Sequence, residues 1–340
     1  MSAFFISLAV FFFYGIFGAS SLPALTDARV VEGAKKEGVV TYYTGLNLVA
    51  AQKLIGAFEK RHPFLKIQLA RHGHVQLRTK ILTEALTGAH HFDLVSMPAI
   101  ELQLLKKRGI LASYRSPEGE GIPQGLKDEE GLWAAIYITQ FIVGYNNRMV
   151  AKEEVPKAWE DLLRPQWKQK IGLDPDAPLW YASLTEYWGK EKTVKFMRGL
   201  ADQRPHLRRG YTLLTQMMVA GEFPLAIVHA HKVEEMKTNG APIDWVKTVD
   251  PVITSAHSIA ISERAPHPNA ARLFVDYILS KEGQLVLHQA FLVPGRTDIP
   301  PLVPSLDQGK LKVHYVQPGL AERYDQYDKE FHQIFRAGSP

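Results

Sequence analysis

The sequence predicts an α/β fold with a mostly parallel sheet covered on both faces, and three observations carry that prediction. From residue 39 onward, short runs rich in β-branched and aromatic residues alternate with segments whose apolar residues recur at helical spacing. Each strand-like run ends in a short polar or glycine-containing turn. The chain has 340 residues, 46% hydrophobic and 22% charged, which is enough for two or more well-buried cores and therefore for two lobes.

Val39-Val40-Thr41-Tyr42-Tyr43 is β-branched and aromatic, as a buried strand requires. Thr44-Gly45-Leu46-Asn47 then turns into a helix in which Ala51, Leu54, Ile55 and Phe58 recur at i, i+3, i+4 and i+7, with Asn47 as its N-cap. The unit repeats. Lys66-Ile67-Gln68-Leu69-Ala70 is the next strand, Arg71-His72-Gly73-His74 the turn, and Leu77, Ile81, Leu82 and Ala85 a second helical face. A third strand at Phe92-Asp93-Leu94-Val95-Ser96 precedes a helix carrying Leu102, Leu104 and Leu105. Residues 138–147 form another strand, after which the chain enters a region rich in Trp and Pro that contains Trp159, Trp167, Trp180 and Trp188. Leu225-Ala226-Ile227-Val228-His229 is a buried strand, 252–261 a further one, and His267-Pro268-Asn269 starts a helix through Leu273, Phe274, Tyr277 and Ile278. In sheets of this kind ligands lie beyond the carboxyl ends of the strands, so the turns just named are the candidate contact segments.

The formal net charge is +5 with a pI near 9.1, a mild basic excess that favours anions or solubility. No run of five or more Lys/Arg occurs, so nucleic-acid binding is not implied. Cysteine is absent, which excludes disulfides, thiolate metal sites, a cysteine nucleophile and a lipid-modified cysteine. Residues 3–17 are an uncharged apolar run followed by Gly18-Ala19-Ser20-Ser21. That length suits a signal-peptide core better than a membrane span, so residues 1–21 are expected to be a signal peptide and the mature protein periplasmic or extracellular. With no Lys or Arg ahead of the run, retention as an anchor is the alternative.

Three further stretches are distinctive: Ile142-Val143-Gly144-Tyr145-Asn146-Asn147, Val155-Pro156-Lys157-Ala158-Trp159-Glu160-Asp161-Leu162-Leu163, and Pro165-Gln166-Trp167-Lys168-Gln169-Lys170-Ile171-Gly172-Leu173-Asp174-Pro175. With Gly221-Glu222-Phe223-Pro224-Leu225-Ala226 and Ser280-Lys281-Glu282-Gly283-Gln284 in the same order along the chain, the sequence resembles the bacterial extracellular solute-binding proteins of ABC importers, in their ferric-iron-binding-like branch. The resemblance implies a type II periplasmic-binding fold, two α/β lobes with an interlobe ligand cleft. One lobe would contain residues 30–138 plus 253–340, and the other 139–252. It also implies a function: capture of a small ligand by lobe closure and delivery to the membrane permease of an ABC importer. Ferric-binding members of that branch use a His after the first strand, a Glu in the third-strand loop and a Tyr-Tyr pair in the second lobe. By position these fall near Leu46 or Asn47, near Pro98, and at His231-Lys232, and none matches. Fe(III) favours anionic oxygen donors, so a cargo other than ferric ion held in that way is expected, with an iron chelate or iron bound through an accompanying anion left open.

Within the cleft the candidate ligand contacts are Tyr43, Thr44, Asn47, Arg71, His72, His74, Ser96, Trp180, Tyr181, His229 and His231. Turns that lead into helices present backbone N–H groups and positive helix ends, which suit a small anion or organic acid, and Arg71 and Lys232 strengthen that preference. His229 and His231, two apart at a strand end, can share a face; with His72 and His74 they could hold a divalent metal, again as cargo and not as a resident cofactor. The competing reading is that these are ordinary polar loop residues. Trp180 and Tyr181 could stack on an organic ligand or instead pack the second lobe. The sequence has no His-Glu-x-x-His, no Gly-x-Ser-x-Gly and no Walker-type phosphate loop, so a binding protein, expected to be monomeric, is favoured over an enzyme such as a metallohydrolase.

Overall fold

The structure, a computed structural model, describes residues 27–336. The expected signal peptide therefore lies outside the described residues, among which no helix is long and apolar enough to cross a membrane. Helix α1 (Ala28–Glu37) ends at Gly38, whose φ of 71° turns the chain into β1 (Val39–Thr44). As the sequence predicts, Asn47 caps α2 (Leu48–Arg61), accepting from Val49 N–H at 3.0 Å and Ala50 N–H at 3.5 Å. The unit recurs in β2 (Lys66–Arg71), α3 (His74–Leu86), β3 (Leu94–Pro98) and α4 (Ala99–Lys106), and β4 (Leu111–Ala112) leads to the long β5 (Ala134–Asn146). Then follow β6 (Ile171–Leu173), α5 (Pro178–Trp188), α6 (Lys190–Asp202), β7 (His206–Leu207), α7 (Tyr211–Ala220), β8 (Leu225–His229), α8 (Ala230–Thr238) and β9 (Ile243–Trp245). The chain returns through β10 (Val252–Ser262) to α9 (Pro268–Leu279), α10 (Lys281–His288), β11 (Val293–Pro294), β12 (Val313–Tyr315) and α11 (Tyr324–Arg336).

The strand order β2-β1-β3-β10-β5-β8-β6-β7 puts the two longest strands side by side at the centre. β1 pairs parallel with β2 and β3, and β6 pairs parallel with β8, so each end of the sheet is a parallel α/β unit. β10 runs antiparallel to both β3 and β5, and β5 antiparallel to β8, so β5 and β10 carry the chain between the two lobes. Alternation along β1 sends Tyr42 into one core with Leu54, Phe58 and Phe274, and Tyr43 into another with Ile81, Phe92 and Val95. A third core gathers Trp159, Trp180, Phe223 and Val228.

The structure departs from the sequence expectations in three places. On α3 the buried face includes Glu84 in place of Ala85, because the Glu84 carboxylate accepts from the Tyr43 hydroxyl at 3.0 Å and pairs with Lys80 at 2.6 Å. β3 starts at Leu94, since the buried Asp93 carboxylate instead accepts from the backbone N–H groups of Thr41 at 2.7 Å and His267 at 2.6 Å. The C-terminal part of 253–340, from Leu306 to Phe335, packs with the core of residues 139–252, where Phe331 and Tyr327 meet Tyr181 of α5.

Candidate ligand-binding site

Between the lobes lies a cavity of about 530 Å³. Its floor is one face of β5, where Tyr137, Thr139 and Phe141 alternate inward, flanked by Ser255 and His257 of β10 and by His229 at the end of β8. Six helix starts open on it: α2 at Asn47, α3 at Gly73 and His74, α4 at Pro98, α5 at Asp176 and Leu179, α7 at Gly210 to Thr212, and α8 at His229 to Lys232. This convergence follows from the fold, because a parallel α/β unit delivers each strand's carboxyl end to the next helix's amino end. Among the described residues no side chain caps α3, α4, α7 or α8, whose first residues border the cavity, so their first-turn N–H groups and positive dipole ends are left uncapped beside it. Gly210 has φ 100°, a conformation that requires glycine, and its N–H donates to Asp174 at 2.8 Å.

The charges around the cavity are mostly paired. Arg78 reaches Glu101 at 2.8 Å, Arg209 reaches Asp176 at 3.2 Å, and Lys232 pairs with Glu235. Asp174 accepts from the N–H groups of Asp176 and Gly210; burial raises its pKa and those two hydrogen bonds oppose the rise. Burial also raises Glu101, against the pull of His74 and Arg78. Arg71 is different. It is exposed at the cavity edge with Nε donating to Leu46 C=O at 2.9 Å, and no carboxylate pairs with it among the described residues. The phenols of Tyr211 and Tyr324 are raised by burial first, and at Tyr211 by Asp174 next. Among the described residues no group of three or more His, Cys, Asp or Glu is arranged to hold a metal ion.

Residues 101–313 match the family described as bacterial extracellular solute-binding protein, more than half of the chain. The chain belongs to that family. A Haemophilus influenzae protein of unassigned function is 27% identical to this solute-binding protein over 188 residues, 52% of this chain and 54% of its own, so the chain spans about half the length of that relative. The major ferric iron-binding protein of Neisseria gonorrhoeae is 25% identical over 280 residues, 78% of this chain and 82% of its own. Among solved structures, the periplasmic binding protein AfuA from Actinobacillus pleuropneumoniae, with fructose-6-phosphate bound, superposes at a TM-score of 0.80 with 22% identity, covering 88% of this chain and 99% of its own. The protein therefore has the type II periplasmic-binding fold and is an extracellular solute-binding protein, a family that captures small ligands for ABC importers.

Of the residues singled out from the sequence of this solute-binding protein, Asn47, Arg71, His74, His229 and His231 line the cavity. Six do not, and each is a correction with a local cause. The Tyr43 ring stacks on Phe92 with centroids 5.2 Å apart, on the far side of the sheet. Thr44 turns inward to cap Leu46 N–H at 2.9 Å and to meet Ser96 Oγ at 2.7 Å, while Ser96 also bonds the Tyr42 hydroxyl at 2.6 Å. His72 is exposed outside the cavity. Trp180 is fully buried between Trp159 and Phe196, and Tyr181 points to α6 and α11, its hydroxyl donating to Glu330 at 2.8 Å. The sequence reading missed His257, Tyr137, Thr139, Phe141 and Tyr211. The signal present for the first three was strand alternation, which names a shared face without saying that the face borders a cavity.

Burial pushes the pKa of His229 and of His257 down to about 3, helped by His74, and pushes His231 well below its usual value. Unfolded histidine titrates near pH 6.5, so between about pH 6.5 and 3 the unfolded chain binds more protons, and folding stability should fall as pH drops through that window and be level above it. Each such histidine contributes up to about 1.4 kcal/mol per pH unit there. Glu101 and Asp174, raised by burial, act in the opposite sense, adding stability as they protonate. Melting curves of ligand-free protein from pH 4 to 8 should therefore show an acid limb that is shallower in a His229→Gln/His257→Gln variant. A wild-type minus variant difference independent of pH would show that the two rings titrate normally.

Proposed function

We propose that the cavity takes a small organic anion, that closure of the two lobes over it marks the loaded form, and that this form hands the anion to the importer's permease without chemical turnover. One observation carries the reading: helix N-termini from both lobes converge on a space whose one lining cation without a carboxylate partner among the described residues is Arg71. An anion bridging Arg71 of the first lobe and the starts of α7 and α8 in the second contacts both only when the lobes are together, so its binding energy favours closure. The bound fructose-6-phosphate of AfuA supports an anionic organic cargo in this fold.

A second reading, ferric iron carried with an accompanying anion, is favoured by the ferric iron-binding relative. Bare ferric ion suits the donors poorly. Glu101 and Asp176 are engaged by arginines, Asp174 by backbone N–H groups, and the cavity phenols are held protonated by burial.

Thermal unfolding of ligand-stripped protein separates the two. Carboxylates, phosphate esters and sulfonates are titrated beside Fe(III) with and without citrate, Zn and Ni. An organic anion at a hundred times its Kd should add about 2.7 kcal/mol of stability. Stabilisation by a bare metal ion, with every organic anion inert, would overturn the proposal.

A further inference from the structure

The charges that line the cavity are unevenly shared between its two sides. On the first-lobe side Arg71 stands alone: its Nε donates to the Leu46 carbonyl at 2.9 Å, and no carboxylate pairs with it among the described residues. On the second-lobe side the imbalance is reversed. Asp174 and Asp176, at the entry to α5, border the cavity with one cation for the two of them, Arg209, which reaches Asp176 Oδ2 at 3.2 Å and whose side chain is 75% exposed. An ion pair so open to solvent is weak and readily exchanged. Asp174 has the N–H groups of Asp176 and Gly210 as its partners, at 2.9 and 2.8 Å, and no cation pairs with it among the described residues. Each of its oxygens accepts one of these bonds and keeps a further lone pair. Two other lining cations are answered, Arg78 by Glu101 and Lys232 by Glu235.

A free cation on one side and a surplus carboxylate on the other suit a cargo that is itself dipolar. A cargo with negative charge alone satisfies Arg71 but lies in the field of Asp174 and Asp176, and in a confined space that repulsion is poorly screened. A cargo with positive charge alone meets the same conflict at Arg71. A molecule with an anionic group at one end and an ammonium at the other removes both. The surroundings of the two carboxylates fit an ammonium. Tyr211 and Tyr324 border the same cavity, and their phenols are raised by burial first, with Asp174 acting next at Tyr211 and Glu101 at Tyr324. A protonated phenol is neutral, its oxygen accepts an N–H hydrogen bond, and its ring face attracts a cation. Phe141 meets Tyr211 edge-on with centroids 5.6 Å apart and extends the aromatic wall to β5.

We propose that the cargo is zwitterionic, with its anionic group against Arg71 and the uncapped start of α3 and its primary ammonium among Asp176, Asp174 and Tyr211. This rests on the organic-anion reading above and adds a cationic end to that anion. Asp176 is half-buried and meets the ammonium directly, while the buried Asp174 supplies charge behind it. Since Arg71 comes from the first lobe and the carboxylates from the second, each lobe grips one end, and the closed form alone grips both.

The test is calorimetry on the ligand-stripped full chain at pH 8, above the range in which histidine is ordinarily charged. It compares 4-aminobutyrate with butyrate, 6-aminohexanoate with hexanoate, and 3-aminopropylphosphonate with propylphosphonate. Within each pair the anionic group and carbon chain are the same and the ammonium alone differs. In at least one pair the aminated member should bind tenfold or more tighter, and the pair that does so reports the spacing and the anionic group. Asp176→Asn keeps the side-chain shape and leaves Arg209 without a carboxylate. It should weaken the aminated member at least tenfold and leave its partner unchanged or tighter, a split that a general loss of folding or closure cannot produce. Asp174→Asn should act in the same direction, whereas Arg71→Ala should weaken both members. Equal or tighter binding of the amine-free member by the wild-type protein in every pair, or an equal loss for both members in Asp176→Asn, would overturn the zwitterionic cargo and leave the anion reading standing. If none of the six probes binds and a bare metal ion does, both fall. The wild-type comparison needs no variant to fold.

Discussion

Trp180→Ala should destabilise the protein by about 3–5 kcal/mol, the usual cost of emptying a large aromatic site in a packed core. Trp180 has no exposed surface and lies 5.1 Å from Trp159 and 6.0 Å from Phe196, centroid to centroid, so truncation leaves a void that the surrounding strands and helices cannot close. Its indole N–H has no hydrogen-bond partner among the described residues, so Trp180→Phe loses volume without orphaning a new group and should cost much less, about 1–2 kcal/mol. Urea unfolding measures both. The same variants separate packing from ligand stacking: if Trp180 serves only the core, the folded fraction of Trp180→Ala binds cargo with wild-type affinity. A large affinity loss with little change in the urea midpoint would return Trp180 to the site.

Arg71→Ala should behave in the opposite way. Arg71 is exposed and makes one hydrogen bond to the Leu46 carbonyl, so its removal should shift stability by no more than about 0.5 kcal/mol. Cargo affinity should fall by about 1.5–3 kcal/mol, the range for a charge-assisted hydrogen bond to an anion, which is roughly tenfold to more than a hundredfold in Kd. Arg71→Lys should recover part of that loss, because it restores the charge without the planar fork. Raising ionic strength should weaken binding by wild type more than by Arg71→Ala, since the exposed charge is the screened one. Isothermal titration with the anion selected by the thermal panel gives all three comparisons. An unchanged Kd in Arg71→Ala would remove Arg71 from the site and, with it, the observation on which the anion reading rests.

The parts of the fold legible in the sequence were those decided by neighbouring residues. Asn47 caps α2 because an Asn ahead of an apolar helical face accepts from the N–H groups two and three residues on, a contact within one turn. The buried face of α2 was readable as Ala51, Leu54 and Phe58 for the same reason, since helical spacing places them together whatever lies opposite. Where a distant partner intervened, the reading slipped. Ala85 yielded its place to Glu84 because Tyr43, forty-one residues earlier, supplies a hydroxyl to the carboxylate. Asp93 left its strand to tie β1 to the start of α9.

The site divides along the same line. Arg71, His74, His229 and His231 could be named in advance because they end strands or start helices, and in an α/β unit those positions gather at one edge of the sheet. Thr44 and Ser96 occupy equivalent positions, yet they turn to each other, and no local pattern distinguishes a hydroxyl that faces a ligand from one that closes a turn. Trp180 and Tyr181 were drawn toward the cleft by their chain neighbourhood and were instead claimed by Trp159 and by the C-terminal helix.

From the sequence alone came the alternating α/β elements, the strand-to-helix turns and the likeness to a solute-binding family, because periodicity, turn residues and motif order are properties of adjacent positions. Only the tertiary structure could show that His257, on β10, lines the same cavity as His229 and His231 and that one nitrogen of each ring is buried without a hydrogen-bond partner among the described residues. Burial and hydrogen-bond satisfaction depend on every segment that folds over a residue, and here those segments are brought together from across the chain by the strands that join the lobes.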